Sequence, residues 1–427
     1  MTQSFPEQRE PQRFVRITGS TLIDGLLSGA EWRWNSGQAY GTPVSITYSF
    51  PTSSSAFSTD PDSGYGPRTD DQPPWRGFLA LNAAQKQAVR AALAAWAEVA
   101  NIRFTEVTDS ARSPGAIRFG LTNSGGEDDT LAYAYSPGDN AYDGDVWFVR
   151  SAMEDGDWEV GSYDFATVLH EIGHALGLKH PFDQGDTGVV LTGANDSGIQ
   201  TIMAYNALPG DADAETDIYS TTPMVLDVPA IQYLYGANTR TRAGASTYAF
   251  EEGENYFQVL WDGGGTDRIV YRSSHDGARI NLTPGTWSAL GAPIHYTDGD
   301  GEETDDPNTV YIPANVTVEH AEGGDGPDVL MGNTAGNSLS GGAGNDTLSG
   351  GAGNDTLSGG AGNDTLSGGA GNDTVVFGGP RSAYRFSALA GGLIGVQGRE
   401  GTDRLADVEF VRFATGSPVR LASLLSA

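Results

Sequence analysis

The 427-residue sequence contains no cysteine, six histidines, and only two lysines, Lys86 and Lys179. The absence of cysteine excludes a disulfide scaffold, a thiol nucleophile and a zinc site built on cysteine. No apolar run approaches the roughly 18 residues that span a bilayer. The first ten residues also lack the basic and then apolar order of a cleavable export signal. At 38% hydrophobic residues, the chain is long enough to form two or three globular domains.

Positive charge is scarce, because 24 lysine and arginine residues face 55 aspartate and glutamate residues, which gives a net charge of −31. A chain this acidic repels phosphate backbones and anionic lipids, whereas divalent cations are natural ligands of its carboxylates. We therefore expect no nucleic-acid partner and no transmembrane segment.

A nine-residue repeat begins at Gly323 and recurs six times, ending at Val376. Its last four copies read GGAGNDTLS three times and then GGAGNDTVV. A flexible glycine-rich linker would not keep an aspartate and an apolar residue at fixed positions in each copy. The pattern matches the calcium-binding nonapeptide G-G-x-G-x-D-x-U-x, in which U is a large apolar residue.

The repeat predicts both calcium ligands and a core. Its glycines permit tight turns and bring backbone carbonyls close to an ion, and its aspartates supply the hard oxygens that Ca²⁺ prefers. The predicted ligands are the aspartates Asp328, Asp346, Asp355, Asp364 and Asp373, and the glycines Gly341, Gly342, Gly344, Gly350, Gly351, Gly353, Gly359, Gly360 and Gly362. The second repeat has Asn337 in place of aspartate, so its site should be weaker or absent. The predicted inward-facing apolar residues are Leu330, Leu339, Leu348, Leu357, Leu366 and Val375.

The sequence before the repeats indicates mixed α and β structure. Strands are predicted at 44–50, 116–122, 131–135 and 145–149. Asn82, with Gln85 three residues later, predicts the start of one helix. A second helix begins near Ser162 or Asp164 and ends at Gly177, and a third covers about 223–235. Residues 380–427 alternate in short pieces that are typical of a few strands.

Three of the six histidines lie within eleven residues of the second helix and its exit: His170, His174 and His180. On a helix, residues four apart share one face, so His170 and His174 can bind the same ion. Glu171 points roughly 100° away and can reach a water molecule at the metal. Gly177 lets the chain turn so that His180 supplies a third ligand, and the fourth position is left for water, as in a catalytic zinc site. A single helical histidine is usually packed or solvated, but the complete H-E-x-x-H-x-x-G-x-x-H string is far more specific.

This string resembles the extended zinc signature of the metzincin endopeptidases. The segment 201–205, TIMAY, is similar to the methionine turn of that clan, with Thr201 in the place of serine. The combination with calcium nonapeptides resembles the serralysins. The resemblance implies that Met203 lies beneath the zinc, that Tyr205 can coordinate zinc or stabilise an oxyanion, and that Glu171 is the general base.

The same resemblance implies calcium sites outside the repeats. One, at the domain junction, would use backbone or side-chain oxygens of Arg242, Gly244, Ser246, Asp262, Gly264 and Asp267. Another would use Thr317 and Glu319 near the first repeat. Short Asp-Gly loops are also common as solvated turns, so both alternatives stay open here.

These observations predict an α+β metzincin zinc-protease domain followed by an all-β parallel β-roll that binds calcium. Residues 1–20 are expected to be an N-terminal segment, with a short propeptide as one interpretation, 21–240 the catalytic domain, and 241–427 the β-roll domain. The latter contains the repeats at 323–376 and a C-terminal secretion region at 380–427. The predicted cofactors are one catalytic Zn²⁺ and several structural Ca²⁺ ions.

The predicted function is a secreted, extracellular, zinc-dependent endopeptidase that hydrolyses extended protein or peptide substrates with broad specificity. The resemblance further implies export by type I ABC machinery, and we expect a monomer. Two alternatives remain: a calcium-dependent surface or adhesion protein with a protease-like domain, and a zinc hydrolase that is not a protease. The first would be favoured if a zinc ligand or Glu171 were missing, and the second leaves the Met203 turn without a purpose.

Overall fold

The computed structural model describes residues 17–124, 130–211 and 213–425. The chain divides into two compact units. Unit 1 runs to Asn238 and includes Thr297–Glu302, and unit 2 comprises Thr239–Tyr296 and Glu303–Ala427. No helix in the described ranges is long and apolar enough to cross a membrane.

Unit 1 combines helices with one five-stranded sheet. Its helices are α1 (Thr21–Asp24), α2 (Ala83–Val99), α3 (Arg150–Met153), α4 (Tyr163–Ala175) and α5 (Asp227–Tyr235). Its strands are β1 (Val44–Ser49), β2 (Ile102–Glu106), β3 (Ile117–Thr122), β4 (Ala132–Ala134), β5 (Val146–Val149) and the short β6 (Glu215–Thr216). The sheet order is β2-β1-β3-β5-β4. All neighbours are parallel except β4, which pairs antiparallel with β5 at the edge.

Helices α2 and α4 begin where the sequence predicts. The Asn82 side chain accepts a hydrogen bond from the Gln85 amide at 3.0 Å, and the Gln85 side chain accepts one from the Asn82 amide at 2.9 Å. Ser162 caps α4 by accepting from the Phe165 amide at 3.1 Å. The two helices pack through Trp96, which is fully buried and donates its indole N–H to the Leu169 carbonyl at 3.1 Å. This contact anchors the helix that carries His170 and His174.

A buried ion pair links the central strand of the sheet to the residue that precedes β5. Arg118 on β3 and Asp145 just before β5 are 2% and 1% exposed, and their closest atoms are 2.7 Å apart. Tyr65 donates its hydroxyl to Asp145 at 2.8 Å and accepts the indole N–H of Trp147 at 2.8 Å. The Arg118 guanidinium also lies 4.3 Å from the ring centre of Phe57. Both charges are therefore compensated, as burial requires.

Unit 2 is a roll of two large, mainly parallel sheets, and it also contains a smaller sheet of three strands. Its strands are β7 (Thr247–Glu251), β8 (Gln258–Val259), β9 (Arg268–Arg272), β10 (Arg279–Asn281), β11 (Thr286–Ser288), β12 (Ile294–Thr297), β13 (Glu303–Asp306), β14 (Val310–Ile312), β15 (His320–Glu322), β16 (Val329–Met331), β17 (Ser338–Ala343), β18 (Thr347–Ala352), β19 (Thr356–Ala361), β20 (Thr365–Ala370), β21 (Thr374–Val376), β22 (Arg385–Ala388), β23 (Ile394–Gln397), β24 (Thr402–Ala406), β25 (Phe410–Arg412) and β26 (Val419–Arg420). The sheet orders are β26-β25-β21-β19-β17-β15-β9-β7 and β10-β16-β18-β20-β24-β23-β22.

The nine-residue period explains this roll. Each repeat contributes one strand, and successive repeats alternate between the sheets, so residues 18 apart become neighbours. Leu339 pairs with Leu357 in one sheet, and Leu348 pairs with Leu366 in the other. All six apolar residues predicted to face inward are at most 1% exposed. The parallel β-roll fold expected from the sequence is confirmed.

We predict that Asp145→Asn lowers the free energy of unfolding of unit 1 by about 3–5 kcal/mol, because it leaves the buried Arg118 charge uncompensated. The measurement is denaturant unfolding of the full chain followed by tryptophan fluorescence. Glu106→Gln is the matched control, since it breaks an exposed pair with Arg90 whose side chains are 44% and 41% exposed. That change should cost less than about 1 kcal/mol. Equal losses for the two variants would contradict the prediction.

Candidate metal and active site

Helix α4 and its exit bring three imidazoles together. His170 and His174 lie one helical turn apart near the C-terminal end of α4, which ends at Ala175. Gly177 then takes φ +104, and a Cβ there would lie 2.1 Å from the Trp32 carbonyl oxygen. Only glycine therefore allows the chain to reverse at this point. The reversal returns His180 to the pair, and one nitrogen of each ring lies within 4.8 Å of the others.

The three rings point their Nε2 atoms at a common centre. The Nε2 of His180 is 3.2 Å from that of His170 and 3.0 Å from that of His174. Each Nδ1 is instead directed outward at an oxygen: the Ile202 carbonyl at 2.8 Å, the Leu178 carbonyl at 2.9 Å, and the Asp183 carboxylate at 2.8 Å.

These outward bonds fix the chemistry of the centre. A carbonyl or carboxylate oxygen only accepts, so each Nδ1 carries the hydrogen and the Nε2 of a neutral ring presents a lone pair. Burial lowers the pKa of all three rings, and for His174 the pKa falls to about 3. Three lone pairs converging in a partly buried space repel one another unless a cation lies between them. The donor set thus fits a zinc ion bound by three nitrogens with one position open.

Glu171 lies beside this centre and has no partner for one of its oxygens. The residue is 5% exposed, and its Oε2 is buried without a hydrogen bond. Burial raises the pKa of Glu171 to about 8. A buried carboxylate with a free oxygen is costly, so its position indicates a use in chemistry rather than in packing.

The segment 201–205 forms a floor beneath the histidines. Met203 is fully buried, and a Cβ added at Gly173 would lie 2.5 Å from its sulfur. The Asp227 carboxylate fixes this segment by accepting from the Thr201 hydroxyl at 2.5 Å and from the Ile202 amide at 2.8 Å. The Ile202 carbonyl in turn accepts from the His170 ring. Asp227 therefore positions the predicted ligand His170 indirectly, through Ile202.

Two aromatic rings border the open side. Tyr205 is 68% exposed, and its ring centre lies 4.6 Å from that of His180 and 5.6 Å from that of His170. Phe182 stacks on His180 with ring centres 4.9 Å apart and planes 8° apart. Partial desolvation at the site, together with the nearby Glu171 and Asp183 carboxylates, raises the pKa of Tyr205 to about 12, so its phenol stays protonated near neutral pH.

The repeat turns present a second set of orphaned oxygens. Asp346, Asp355, Asp364 and Asp373 are each at most 1% exposed, and each has a buried Oδ2 without a hydrogen bond. Their Oδ1 atoms accept the backbone amide of the residue 18 positions earlier, at 2.7–3.0 Å. The predicted glycines line the same turns. At Gly362, for example, φ is +142 and a Cβ would lie 1.5 Å from the Gly344 carbonyl oxygen. Carboxylate and carbonyl oxygens in this arrangement fit Ca²⁺.

Two of the turns differ from the other four. Both oxygens of Asp328 accept backbone N–H groups, from Ala278 at 2.6 Å and from Gly324 at 2.8 Å. Asn337 accepts from the Asn333 amide at 2.7 Å and donates to the Glu319 carbonyl at 3.0 Å. The Asn337 side chain is therefore engaged in hydrogen bonds within its own turn, and a weaker calcium site there stays a prediction.

The ladder of aspartates that accept backbone amides continues beyond the six repeats, at residues that the sequence analysis does not predict. After a hairpin, Asp403 on β24 accepts the Asp364 amide at 3.1 Å, just as the last four repeat aspartates accept the amide of the residue 18 positions earlier. Glu409 accepts the Asp373 amide at 2.8 Å in the same way on the other side. The signal was present as Gly401, Asp403 and Leu405, which follow the spacing G-x-D-x-U of the repeat.

The predicted junction residues lie together in unit 2. The Ser246 hydroxyl contacts the carbonyls of Arg242 and Gly244 at 3.3 and 3.1 Å, and the Ser246 amide donates to Asp267 at 2.7 Å. Asp267 is fully buried and leaves its Oδ2 without a hydrogen bond.

The other ligands predicted for the junction site, and the two predicted for the separate site near the first repeat, are hydrogen-bonded or exposed. The Asp262 carboxylate accepts from the Gly264 amide at 2.6 Å and from the Tyr248 hydroxyl. Glu319 accepts the Asp267 amide at 2.8 Å, while Thr317 is exposed. These ligand assignments stay predictions.

Comparisons with known proteins agree with both sites. The Matrixin peptidase family model matches residues 79–191, and the RTX calcium-binding nonapeptide repeat matches residues 322–357 and 349–379. Metallopeptidase AprA of Pseudomonas marginalis is 34% identical over 338 residues, which cover 74% of this chain and 65% of the relative. Serralysin G of Dickeya chrysanthemi is 34% identical over 330 residues, which cover 72% of this chain and 63% of the relative. The chain thus spans less than two thirds of the length of these relatives.

We predict that Gly173→Ala weakens zinc binding and lowers the unfolding free energy by about 1–3 kcal/mol, because the new methyl group displaces Met203 and overpacks the floor of the site. Zinc affinity is measured by competition with a chromogenic chelator, and stability by denaturant unfolding. Gly37→Ala is the control, since no atom lies within 4 Å of a Cβ there. Indistinguishable results for the two variants would contradict the proposed packing.

We predict that calcium-free unit 2 is most stable below about pH 4 and loses stability as the pH rises through about 7. Burial raises the pKa of Asp346 from 3.8 to about 7, so folding favours the neutral acid and opposes ionisation. Calcium, which binds the ionised form, should restore stability at pH 8. The measurement is calorimetry of the full chain in EGTA at pH 5 and 8, with and without excess calcium.

Asp346→Asn should reduce this pH dependence, whereas Asp325→Asn, an exposed change in a neighbouring turn, should not. A calcium-free melting temperature of unit 2 that is no lower at pH 8 than at pH 5 would overturn the account.

Proposed function

We propose that the chain is a serralysin-type metzincin, a secreted zinc endopeptidase that cleaves extended protein substrates and is stabilised by calcium; the matches to the Matrixin and calcium-repeat families and to the serralysins support this proposal. The observation that carries this proposal is the convergence of three imidazole Nε2 atoms beside a buried carboxylate with a free oxygen. His170, His174 and His180 would hold the zinc, and Glu171 and Tyr205 would act on the substrate.

Glu171 is the proton carrier in this proposal. The bound zinc supplies Lewis acidity, which makes a water molecule reactive near neutral pH. Glu171 accepts a proton from the water that attacks the peptide carbonyl and returns it to the departing amine, so that hydrolysis is balanced. The raised pKa of Glu171 reflects burial alone, and a neighbouring cation favours its ionised, proton-accepting form.

Tyr205 is the second side chain proposed to act on the substrate, and its role is to stabilise the oxyanion that forms from the peptide carbonyl. Its ring lies beside two of the ligands and is largely exposed, so its hydroxyl is available to substrate. A phenol with a pKa of about 12 keeps its hydrogen at neutral pH and can donate it to the carbonyl oxygen as negative charge develops.

The edge strand β4 offers a binding surface for the substrate backbone. Within the part of the chain that the structure describes, β4 pairs only with β5 of the five-stranded sheet. Its other edge can therefore accept a further strand. A peptide added there bonds through its main chain, which every sequence provides. Broad specificity follows from this mode of binding.

Secretion and folding are linked in the proposal. Near neutral pH the orphaned aspartate oxygens of the repeats repel one another when calcium is scarce, so the roll should reach its full stability only where calcium is abundant. A protein that lacks cysteine and needs calcium suits the cell exterior. We extend the proposal to export by type I ABC machinery, with residues 380–427 as the secretion region, and to a monomeric enzyme.

The alternative of a calcium-dependent adhesion protein is less well supported, because all three ligands and Glu171 are present and converge. A zinc hydrolase without protease activity would not need a strand-binding edge beside the site. Zinc analysis combined with caseinolysis that 1,10-phenanthroline inhibits would distinguish these functions.

We predict that Glu171→Gln reduces cleavage of casein by about 10²–10⁴-fold while the zinc content stays near one ion per chain, because the amide cannot carry a proton but leaves the histidines in place. Activity and bound zinc are measured on the same preparation. Glu159→Gln, an exposed change just before α4, is the control and should leave both quantities unchanged. Near-native activity of the Glu171 variant would show that the general-base assignment is wrong.

A further inference from the structure

Phe182 is an exposed aromatic residue at the metal centre that neither the zinc signature nor the general chemistry uses. Its side chain is 41% exposed, and it lies two residues after the ligand His180. Burial of so large an apolar side chain by a ligand is favourable, and exposed rings beside a reactive centre are therefore natural contacts for substrate.

The ring is held in a defined orientation. One face of the Phe182 ring is stacked on His180, with the planes 8° apart. The part of the ring that is exposed therefore lies away from this stacked face. On either side of Phe182, the backbone is tied down: the Pro181 carbonyl accepts the Leu191 amide at 2.7 Å, and the Asp183 amide donates to the His180 carbonyl at 3.2 Å. The Asp183 carboxylate also binds the His180 ring. Because Phe182 and its backbone are already ordered, substrate binding should cost little additional conformational entropy here.

Phe182 and Tyr205 together form an aromatic corner. Their ring centres are 5.2 Å apart, and their planes meet at 55°. A third ring placed in such a corner can meet one wall face to face and the other edge to face, the two arrangements that aromatic pairs prefer. An aliphatic side chain fills the same space without this directional contact.

We propose that Phe182 is a specificity-determining residue that makes the enzyme prefer substrates with an aromatic side chain at one position within three residues of the scissile bond. The inference rests on the proposed endopeptidase function. It adds a preference for one substrate side chain to the proposed binding through the substrate main chain. The occupant of the corner is the aromatic side chain of a peptide.

The test is internal competition among peptides that are identical except at one position. Phenylalanine, cyclohexylalanine, leucine, arginine or alanine is placed in turn at each of the three positions on either side of the scissile bond. Products are quantified by mass spectrometry with wild-type enzyme and with Phe182→Ala and Phe182→Leu. The ratio of kcat/KM for two peptides in one reaction does not depend on the fraction of enzyme that carries zinc. Leu389→Ala, also 41% exposed but in unit 2, is the matched control.

We expect wild-type enzyme to favour phenylalanine over alanine by about 10-fold at one position, and over cyclohexylalanine by a smaller factor. Phe182→Ala should lower the first ratio to about 2-fold or less at that position alone. Phe182→Leu should retain part of the preference for large apolar residues and lose the advantage of phenylalanine over cyclohexylalanine. Leu389→Ala should match wild type.

An unchanged ratio in Phe182→Ala would overturn the proposal, and so would a wild-type preference for arginine that the substitution removes. If Phe182→Ala does not fold, the comparison of phenylalanine with cyclohexylalanine in Phe182→Leu decides the question. Zinc-loaded wild-type enzyme that cleaves none of the peptides would instead refute the proposed function itself, and the specificity with it.

Discussion

The candidate active site depends on the crowding of three nitrogen lone pairs. Each of the three imidazoles commits its Nδ1 hydrogen to an outward oxygen, which leaves the Nε2 atoms facing one another at 3.0 and 3.2 Å. Such an arrangement is unfavourable on its own, and a cation relieves it. The roll in unit 2 uses the same principle with oxygen, since four repeat aspartates each leave one buried oxygen without a partner. In both units, therefore, the fold stores electrostatic repulsion that metal binding releases.

Such repulsion persists only where the surrounding structure holds the repelling groups in place through several independent contacts. Around the histidines, the support comes from backbone carbonyls, from Met203 packed against a helical glycine, and from Asp227, which ties the floor to helix α5. In the roll, support comes from leucine columns that pair at 18-residue intervals and are almost completely buried. Covalent cross-links play no part, since the chain has no cysteine.

The sequence predicts those features that a short local rule encodes. The nonapeptide period specified the roll, its inward leucines and its aspartate ladder, and the spacing of the three histidines specified their convergence. Features that join distant segments were not predicted. Asp227 and the Arg118–Asp145 pair depend on tertiary contacts across 25 or more residues, and strand β2 has only a weak pattern. No sequence pattern marks Phe182, because its proposed role depends on the contacts of its ring with His180 and Tyr205. Asp403 could have been found, since its flanking residues repeat the nonapeptide spacing after a hairpin.

The central claim is that His170, His174 and His180 bind one zinc ion through their Nε2 atoms. It is tested most directly by a crystal structure of the zinc-loaded protein with anomalous diffraction recorded on both sides of the zinc absorption edge. The account predicts one strong anomalous peak at about 2.0–2.1 Å from each of the three Nε2 atoms, with Glu171 beside its open side. Rings turned away from one another, or the absence of a peak between them at full zinc loading, would contradict it.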